Sequence, residues 1–387
     1  MRSGKITINQ EAMKYKNKED LDAARELVSP PGDTLMETLV HKGISQSELA
    51  ARMGRPVKTI NEIVMGKTAI LPETAIQLEN VLGIQAEFWL ERERNYRLEL
   101  AKIDASEEAL ASTEWVSGFP VNLMRKWSWI NGEKDLISTT GALLRFFSVA
   151  HPAAYHRFYQ KYRLAPAFRL KQTETNNANA IIAWLRRGDI QAEVITAPPF
   201  DLKKFKAALP AIRQLMIDNP VSVAGPLQAI CLPCGAKVVF TPCLPKAPVS
   251  GATRWLKDHP VIQLSGRYKR NDIFWFTFFH EAGHILLHGK KDFFLEESDG
   301  EETVQHKELE ANEFAVEWTF PLEAEKEVTR ALPLTAEKTS FFARKFNTHP
   351  SMIIGRLAKA DLVHESFGWK YHFFCNLEVN SQVDLPG

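Results

Sequence analysis

The sequence predicts a mainly α-helical protein with a small α+β part, and three observations support this prediction. A series of amphipathic segments with helix-capping residues runs through residues 30–104. Residues 105–220 continue with apolar spacing of helical type, as in GALLRFFSVA and ANAIIAWLRR. From about residue 225 the pattern changes to two short apolar runs, AKVVFTP and PVIQLSG, which are typical of strands, and two long helical segments follow.

Composition favours a globular protein of more than one domain. The chain has 387 residues, of which 45% are hydrophobic and 25% charged, with a formal net charge of +1. A nearly neutral chain is not a general polyanion binder, so any nucleic-acid contact must come from a local patch. Four cysteines do not suggest a secreted disulfide framework. The first twenty residues lack an apolar core of signal-peptide length, and no apolar run is long enough for a membrane span, so we expect a cytoplasmic protein.

Residues 1–29 are polar and predict a loose arm or a short helix. The region after them predicts a compact set of helices. The second of these helices starts with a capping box, in which Glu48 follows Ser45 by three residues, and it ends at Gly54. The five predicted helices are PPGDTLMETLVHKG, SQSELAARMG, PVKTINEIVMG, LPETAIQLENVLG and the long, charged AEFWLERERNYRLELAKI.

The segment ISQSELAARMGRPVKTINEIVMG has the length and the turn glycine of a DNA-binding helix–turn–helix, with its last helix as the reading helix. Polar side chains that point away from the apolar face of that helix can reach base edges, whereas basic residues at its ends suit phosphates. A helical bundle used only for dimerisation is the alternative. The candidate DNA-contacting residues are Gln46, Arg55, Val57, Lys58, Thr59, Asn61, Glu62 and Lys67.

The segment FWFTFFHEAGHILLHGKK, residues 274–291, carries the clearest chemistry. His280 and His284 are four residues apart, so on a helix their rings lie on one face and can reach a single zinc ion. Glu281 lies beside them, where it can take a proton from water activated by the metal. Gly283, inside the predicted helix, leaves room for substrate or for neighbouring backbone. The alternative is a packed helix that carries histidines by chance.

A third metal ligand must come from another segment. His288 lies about 12 Å from His280 along a straight helix, too far for one metal ion. In HKELEANEFAVEWTFP, residues 306–321, Glu308 lies near the apolar stripe and is the candidate ligand, whereas Glu310 suits the surface. Asn312, one turn after Glu308, is positioned to hydrogen-bond a ligand histidine.

HEAGH followed by ELEANEFAVEWTFP resembles the ImmA/IrrE family of zinc metallopeptidases, and the resemblance covers roughly residues 110–365. It implies a gluzincin-like peptidase domain. His280, His284 and Glu308 match the family's zinc ligands, and Glu281 matches the base that deprotonates zinc-bound water. The resemblance also implies a regulated endopeptidase that cuts a regulatory protein such as a repressor.

The segment GRPVKTINEIVMGKTAILPETAIQLENVLGIQAEFWL is similar to XRE-type repressors, in particular to HigA/VapI-like antitoxins. This resemblance implies an autoregulatory repressor that binds palindromic operator DNA through the major groove as a homodimer. Lys58 and Glu62 are the positions where operator choice should differ between relatives. A cognate toxin or a repressor is then a possible protein partner.

Three weaker signals remain. CLPC, residues 231–234, is either half of a metal knuckle or a pair of buried thiols. A second helix–turn–helix pattern near residues 338–360 favours packing against the peptidase over DNA contact. The acidic segment 296–302 predicts a solvated loop.

The sequence supports two alternative hypotheses about function. The first is a DNA-binding regulator with an active zinc endopeptidase, and the second is an antitoxin-like repressor whose peptidase-like half senses or binds a protein without significant proteolysis. The predicted divisions are an arm at 1–29, an XRE-type domain at 30–104, a helical connecting region at 105–220, a peptidase core at 221–330 and a C-terminal helical segment at 331–387.

Overall fold

The computed structural model describes residues 15–164, 178–245, 247–290, 301–364 and 367. It confirms the predicted fold class, because helices dominate and one three-stranded sheet lies in the second half of the chain. Within the described ranges, no helix combines the length and the apolar character needed to cross a membrane. The start of the predicted arm, most of the acidic segment 296–302, Cys375 and the end of the C-terminal segment lie outside the described residues.

The chain divides into two compact units. One contains the described residues up to Val116 together with Gly132–Leu143, and the other contains Ser117–Asn131 and the described residues from Leu144 onward.

In the first unit, the five predicted helices of the helix–turn–helix region all form, preceded by one short helix. They are α1 (Lys18–Leu27), α2 (Pro31–Lys42), α3 (Gln46–Met53), α4 (Val57–Val64), α5 (Pro72–Leu82) and α6 (Ala86–Leu110). Ser45 caps α3 as predicted, since its side chain accepts a hydrogen bond from the backbone N–H of Glu48 at 3.1 Å. Gly54 ends α3 with φ of 65°, a left-handed conformation that glycine adopts at little cost.

A core of fully buried apolar side chains holds α2 to α6 together. Trp89 from α6 belongs to this core and is 0% exposed. It lies in the same cluster as Leu35, Leu49, Ile60 and Leu78. Burial of apolar surface stabilises such a core by about 25 cal/mol per Å². The apolar face of α4 is therefore used for packing, and its opposite face is left for contact with a partner.

Further helices follow along the described chain between α6 and the sheet. They are α7 (Thr113–Ser117), α8 (Val121–Lys126), α9 (Leu136–Phe147), α10 (Pro152–Leu164), α11 (Ala178–Glu193), α12 (Leu202–Asp218) and α13 (Ala224–Cys231), the last continued by a 3₁₀ turn at Leu232–Cys234. In the second unit, an aromatic cluster around Phe147 packs edge-on against Tyr155 and Tyr159, with ring centroids 4.8 and 5.4 Å away.

The sheet contains β1 (Lys237–Phe240), β2 (Gly251–Leu256) and β3 (His259–Leu264) in the order β1-β3-β2. Strand β3 is parallel to β1 and antiparallel to β2, with Gly251 opposite Leu264. The predicted run AKVVFTP contains β1, and PVIQLSG covers all of β3 except its first residue, His259. The sequence analysis missed β2, which lies between them.

Helices cover both faces of the sheet. On one face, Arg254 of β2 forms a buried ion pair with Asp189 of α11, and Gln263 Nε2 of β3 donates to the Trp184 carbonyl at 2.7 Å. On the other face lies α14 (Asn271–Gly283), where Thr253 Oγ1 donates to the carbonyl of Glu281 at 3.1 Å. Strand β2 therefore lies directly against the histidine helix.

The remaining helices are α15 (Glu301–Thr319), α16 (Leu322–Arg330), α17 (Ala336–Lys345) and α18 (Pro350–Lys359), and a 3₁₀ turn at Arg267–Lys269 precedes α14. Helix α18 packs into the core of the second unit through the buried side chains of Ile353 and Leu357. The Nδ1 atom of His349, just before α18, lies 3.2 Å from Nδ2 of Asn271. Burial lowers the pKa of His349 to about 4. The second helix–turn–helix pattern thus packs against the sheet and the histidine helix, as the sequence favoured.

Candidate metal centre and nucleic-acid interface

Helices α14 and α15 form the candidate metal centre because their backbones approach closely. A Cβ atom added to Gly283 would lie 3.3 Å from both the Cα atom of Ala311 and the Cβ atom of Phe314. Of the two uses predicted for this glycine, the structure favours room for neighbouring backbone. After Gly283 the helix widens into a π turn, His284–His288, which ends at Gly289.

The structure brings the three predicted ligand residues together. The Nε2 atoms of His280 and His284 are 3.1 Å apart. Oxygens of the Glu308 carboxylate lie 3.3 Å from His280 Nε2 and 3.5 Å from His284 Nε2. Among the described residues, these three side chains form the one group of His, Cys, Asp or Glu able to hold a metal ion.

Asn312 also lies where the sequence predicted it. Its Oδ1 atom is 3.1 Å from Nδ1 of His280. A carbonyl oxygen only accepts hydrogen bonds, so the Nδ1 atom of His280 carries the proton and donates it. In a neutral ring the Nε2 atom then carries the lone pair, and it faces Glu308 and His284.

His288 and Glu310 have contacts that the sequence analysis missed. The Nδ1 atom of His288 is 3.1 Å from Nδ1 of His284, and its Nε2 atom is 3.0 Å from an oxygen of Glu310. The hydrogen bond from His288 lowers the pKa of Glu310 below its usual value, with smaller contributions from His306. The position of Glu310 two residues after Glu308 was visible in the sequence, but its pairing with His288 was not.

Glu281 directly follows His280 in the chain and is 3% exposed. Its carboxylate passes over Gly251 of β2, where an added Cβ atom would lie 3.0 Å from Glu281 Oε1 and 2.5 Å from Thr277 Cγ2. Its backbone carbonyl is held by Thr253. Strand β2 thus fixes the position of Glu281.

The two thiols of CLPC are buried, which agrees with a pair of packed thiols rather than half of a metal knuckle. Cys231 is 0% exposed and Cys234 is 5% exposed, and burial raises the pKa of both thiols. In the part of the chain that the structure describes, neither belongs to a group able to hold a metal.

The second candidate surface is the outer face of α4. Lys58 projects into solvent, with 86% of its side chain exposed and its Nζ atom 3.8 Å from Glu62 Oε1. Val57 and Asn61 are also exposed on this face, and Lys67 is exposed just beyond the helix. The structure therefore brings these predicted residues to one accessible face.

Three other predicted DNA-contacting residues are held more firmly. Arg55 Nε donates to Gln77 Oε1 of α5 at 2.6 Å, and the side-chain amide of Gln46 contacts the Met36 sulfur at 3.1 Å. Glu62 accepts a hydrogen bond from Thr68 Oγ1 at 3.3 Å. Thr59, the remaining residue of the set, is half-buried. These contacts fix Arg55 just before α4, Glu62 near the end of α4 and Gln46 at the start of α3.

Comparison with known proteins assigns a domain to each of the two surfaces. Residues 35–89 match the helix-turn-helix domain, and residues 235–357 match the IrrE N-terminal-like domain of peptidase family M78. Over 68 residues the chain is 34% identical to the uncharacterized HTH-type transcriptional regulator YddM of Escherichia coli (strain K12). That alignment covers 18% of this chain and 72% of the relative.

The match at residues 35–89 contains α3, the turn at Gly54 and α4. The match at residues 235–357 contains the sheet, both histidines and Glu308. The chain therefore belongs to the helix–turn–helix transcriptional regulators, and it joins this DNA-binding domain to an IrrE N-terminal-like domain of peptidase family M78.

Proposed function

We propose that this DNA-binding regulator carries a zinc-dependent endopeptidase that hydrolyses a peptide bond in a regulatory protein. The observation that supports the proposal most directly is the convergence of His280, His284 and Glu308 next to a buried glutamate, Glu281. Two imidazoles and a carboxylate form a ligand set of the catalytic zinc type, which leaves one coordination position for reaction.

The spacing of the three side chains fits a zinc ion. Tetrahedral ligands at about 2.0 Å from zinc lie about 3.3 Å from one another. The corresponding separations here are 3.1 Å between the two Nε2 atoms and 3.3 and 3.5 Å from these atoms to Glu308.

In the proposed reaction Glu281 takes the proton of the attacking water and later delivers it to the leaving amine. Zinc, when bound, acts as a Lewis acid that polarises the scissile carbonyl. The burial of Glu281 keeps its carboxylate away from bulk water, and Thr253 fixes the backbone at this residue. Asn312 holds the ring of His280 in the orientation that directs Nε2 toward the site.

Metal analysis of the purified full-length chain, combined with a cleavage assay, tests this proposal. We expect zinc in about equimolar amount, and zinc-dependent cleavage of this chain itself or of a protein encoded beside it. A chain that binds no zinc would overturn the proposal. Zinc without any cleavage would instead support the sensing or protein-binding module.

Substitution of Gly251 by Ala is expected to slow peptide hydrolysis while zinc stays bound. The added methyl group would lie 2.5 Å from Thr277 Cγ2 and 3.0 Å from Glu281 Oε1, so Thr277 must move and the base must give way slightly. A displacement of about 1 Å can cost on the order of 100-fold in rate, and we expect a smaller loss here because the shift of Glu281 is smaller. Gly225→Ala is the control, since a Cβ atom there meets nothing within 4 Å. Equal cleavage rates for both variants would refute this role of Gly251.

For the DNA-binding half, we propose that a homodimer inserts α4 into the major groove of a palindromic operator. Lys58, Thr59 and Glu62 contact base edges, with Val57 and Asn61 on the same helix, and Arg55, Lys67 and Gln46 contact phosphates. The exposure of Lys58, Asn61 and Lys67 supports this assignment.

Lys58→Ala and Lys67→Ala are expected to change DNA binding in different ways. Loss of the base contact at Lys58 should weaken binding to the protein's own promoter by about 1–3 kcal/mol and relax sequence preference. Loss of the phosphate contact at Lys67 should weaken binding equally for all sequences and reduce the salt slope by about one. Titration of promoter and scrambled DNA at several salt concentrations measures both effects, with Lys18→Ala on α1 as the control. Unchanged sequence preference in Lys58→Ala would reject the assigned reading face.

We further propose that the regulator acts in the cytoplasm as an antitoxin-like repressor, with a cognate toxin or a second repressor as its protein partner. Its proposed parts are the arm at 1–29, the DNA-binding domain at 30–104, the connecting region at 105–220, the peptidase core at 221–330 and the C-terminal segment at 331–387. The presence of both domains on one chain supports a role in gene control rather than in general protein digestion.

A further inference from the structure

His284 is linked to a surface carboxylate by a second histidine. Its Nε2 atom faces His280 and Glu308, while its Nδ1 atom lies 3.1 Å from Nδ1 of His288. The Nε2 atom of His288 in turn lies 3.0 Å from an oxygen of Glu310. The His288 side chain is only 8% exposed, so water has little access to the link between the two rings.

The chemistry of these groups fixes where each proton lies. The Glu310 carboxylate only accepts hydrogen bonds, so Nε2 of His288 carries a proton and donates it. A neutral His288 then has a lone pair on Nδ1, which can only accept, and Nδ1 of His284 must be the donor. Consequently Nε2 of His284 carries a lone pair that points at His280 and Glu308.

We propose that His288 and Glu310 are positioning residues that hold His284 in its Nδ1–H tautomer and direct its Nε2 lone pair to a divalent metal. The binding of a metal at this site rests on the proposed function, whereas the tautomer of His284 does not. The two ligand histidines are thus oriented by different groups, because Asn312 holds His280 with a neutral amide. Loss of either positioning residue should therefore weaken the bond between His284 and the metal.

Nitrogen NMR of histidine-labelled, metal-free full-length protein at pH 8 tests the proton positions directly. We expect His284 to appear as the Nδ1–H tautomer in the wild type. In His288→Leu it should shift toward the Nε2–H tautomer that free histidine prefers in water. His306→Ala is the matched control, since His306 contacts Glu310 on the exposed side at 3.4 Å and should leave the His284 signals unchanged. Wild-type His284 in the Nε2–H form would overturn the proposal.

Zinc affinity, measured by chelator competition, provides a readout that is independent of cleavage. Loss of an outer hydrogen-bond partner typically weakens metal binding by about 10–100-fold, which we expect for both His288→Leu and Glu310→Gln. Glu313→Gln, an exposed position on the same helix, should bind zinc as the wild type does. Glu310→Gln keeps the test valid if His288→Leu does not fold, because the Glu310 side chain is 43% exposed.

The two proposals fail in different ways. A wild-type protein that binds no zinc contradicts the proposed function, and the NMR experiment still decides the role of His288. A wild-type protein that binds zinc, together with unchanged affinity and an unchanged His284 tautomer in the variants, contradicts the positioning pair alone.

Discussion

Glu281→Gln is expected to abolish peptide hydrolysis while the metal remains bound. The amide has nearly the shape of the carboxylate but cannot take a proton from water, and a positioned base contributes about 10²–10⁴ in rate. Glu281 does not belong to the group of side chains able to hold a metal in the described part of the chain, so zinc binding should persist. Cleavage rate and zinc content, measured on the same preparation, check both expectations.

Glu313→Gln is the matched control for this substitution. It makes the same chemical change at an exposed position of α15, and we expect wild-type cleavage. A Glu281→Gln protein that cleaves as fast as this control would remove Glu281 from the mechanism. A Glu281→Gln protein that has lost its zinc would instead place Glu281 among the ligands.

Glu308→Ala is expected to remove zinc from the chain and with it all cleavage. Its carboxylate lies 3.3 and 3.5 Å from the two histidine nitrogens, and the variant would keep only the histidines as ligands. The loss of affinity should exceed the roughly 10–100-fold that removal of an outer partner causes. Metal analysis after dialysis and chelator competition both measure this loss.

The control for Glu308→Ala is Glu313→Ala, which removes a carboxylate from the exposed side of the same helix. We expect it to bind zinc normally. Retention of wild-type zinc affinity in Glu308→Ala would mean that another residue completes the ligand set. Far-UV circular dichroism of both variants separates loss of the ligand from loss of the fold.

The parts of this protein that could be predicted from sequence are those governed by local spacing. His280 and His284 are separated by about one helical turn, so the sequence alone places both rings on one face of a helix. Ser45 and Gly54 similarly indicate the start and end of α3 through their capping chemistry. Glu308 could be chosen over Glu310 because of its position relative to the apolar stripe.

The features that the sequence analysis missed depend on contacts between distant segments. Strand β2 begins at a glycine and carries the charged Arg254 in its middle, and its pairing with β3 and its packing against α14 stabilise it. The partnership of His288 with Glu310 joins residues on two different helices. This contact forms only because α15 approaches the π turn, and no local sequence pattern predicts that approach.

The close approach of α14 and α15 at Gly283 also couples metal binding to folding. The candidate ligands come from both helices, so the complete site exists only when the helices are packed, and an unfolded chain cannot offer it. A metal that binds only the native state stabilises it by about 2.7 kcal/mol at a free concentration of 100 times the dissociation constant. The melting temperature of this regulator should therefore rise with free zinc concentration, and thermal denaturation should report zinc supply without any substrate.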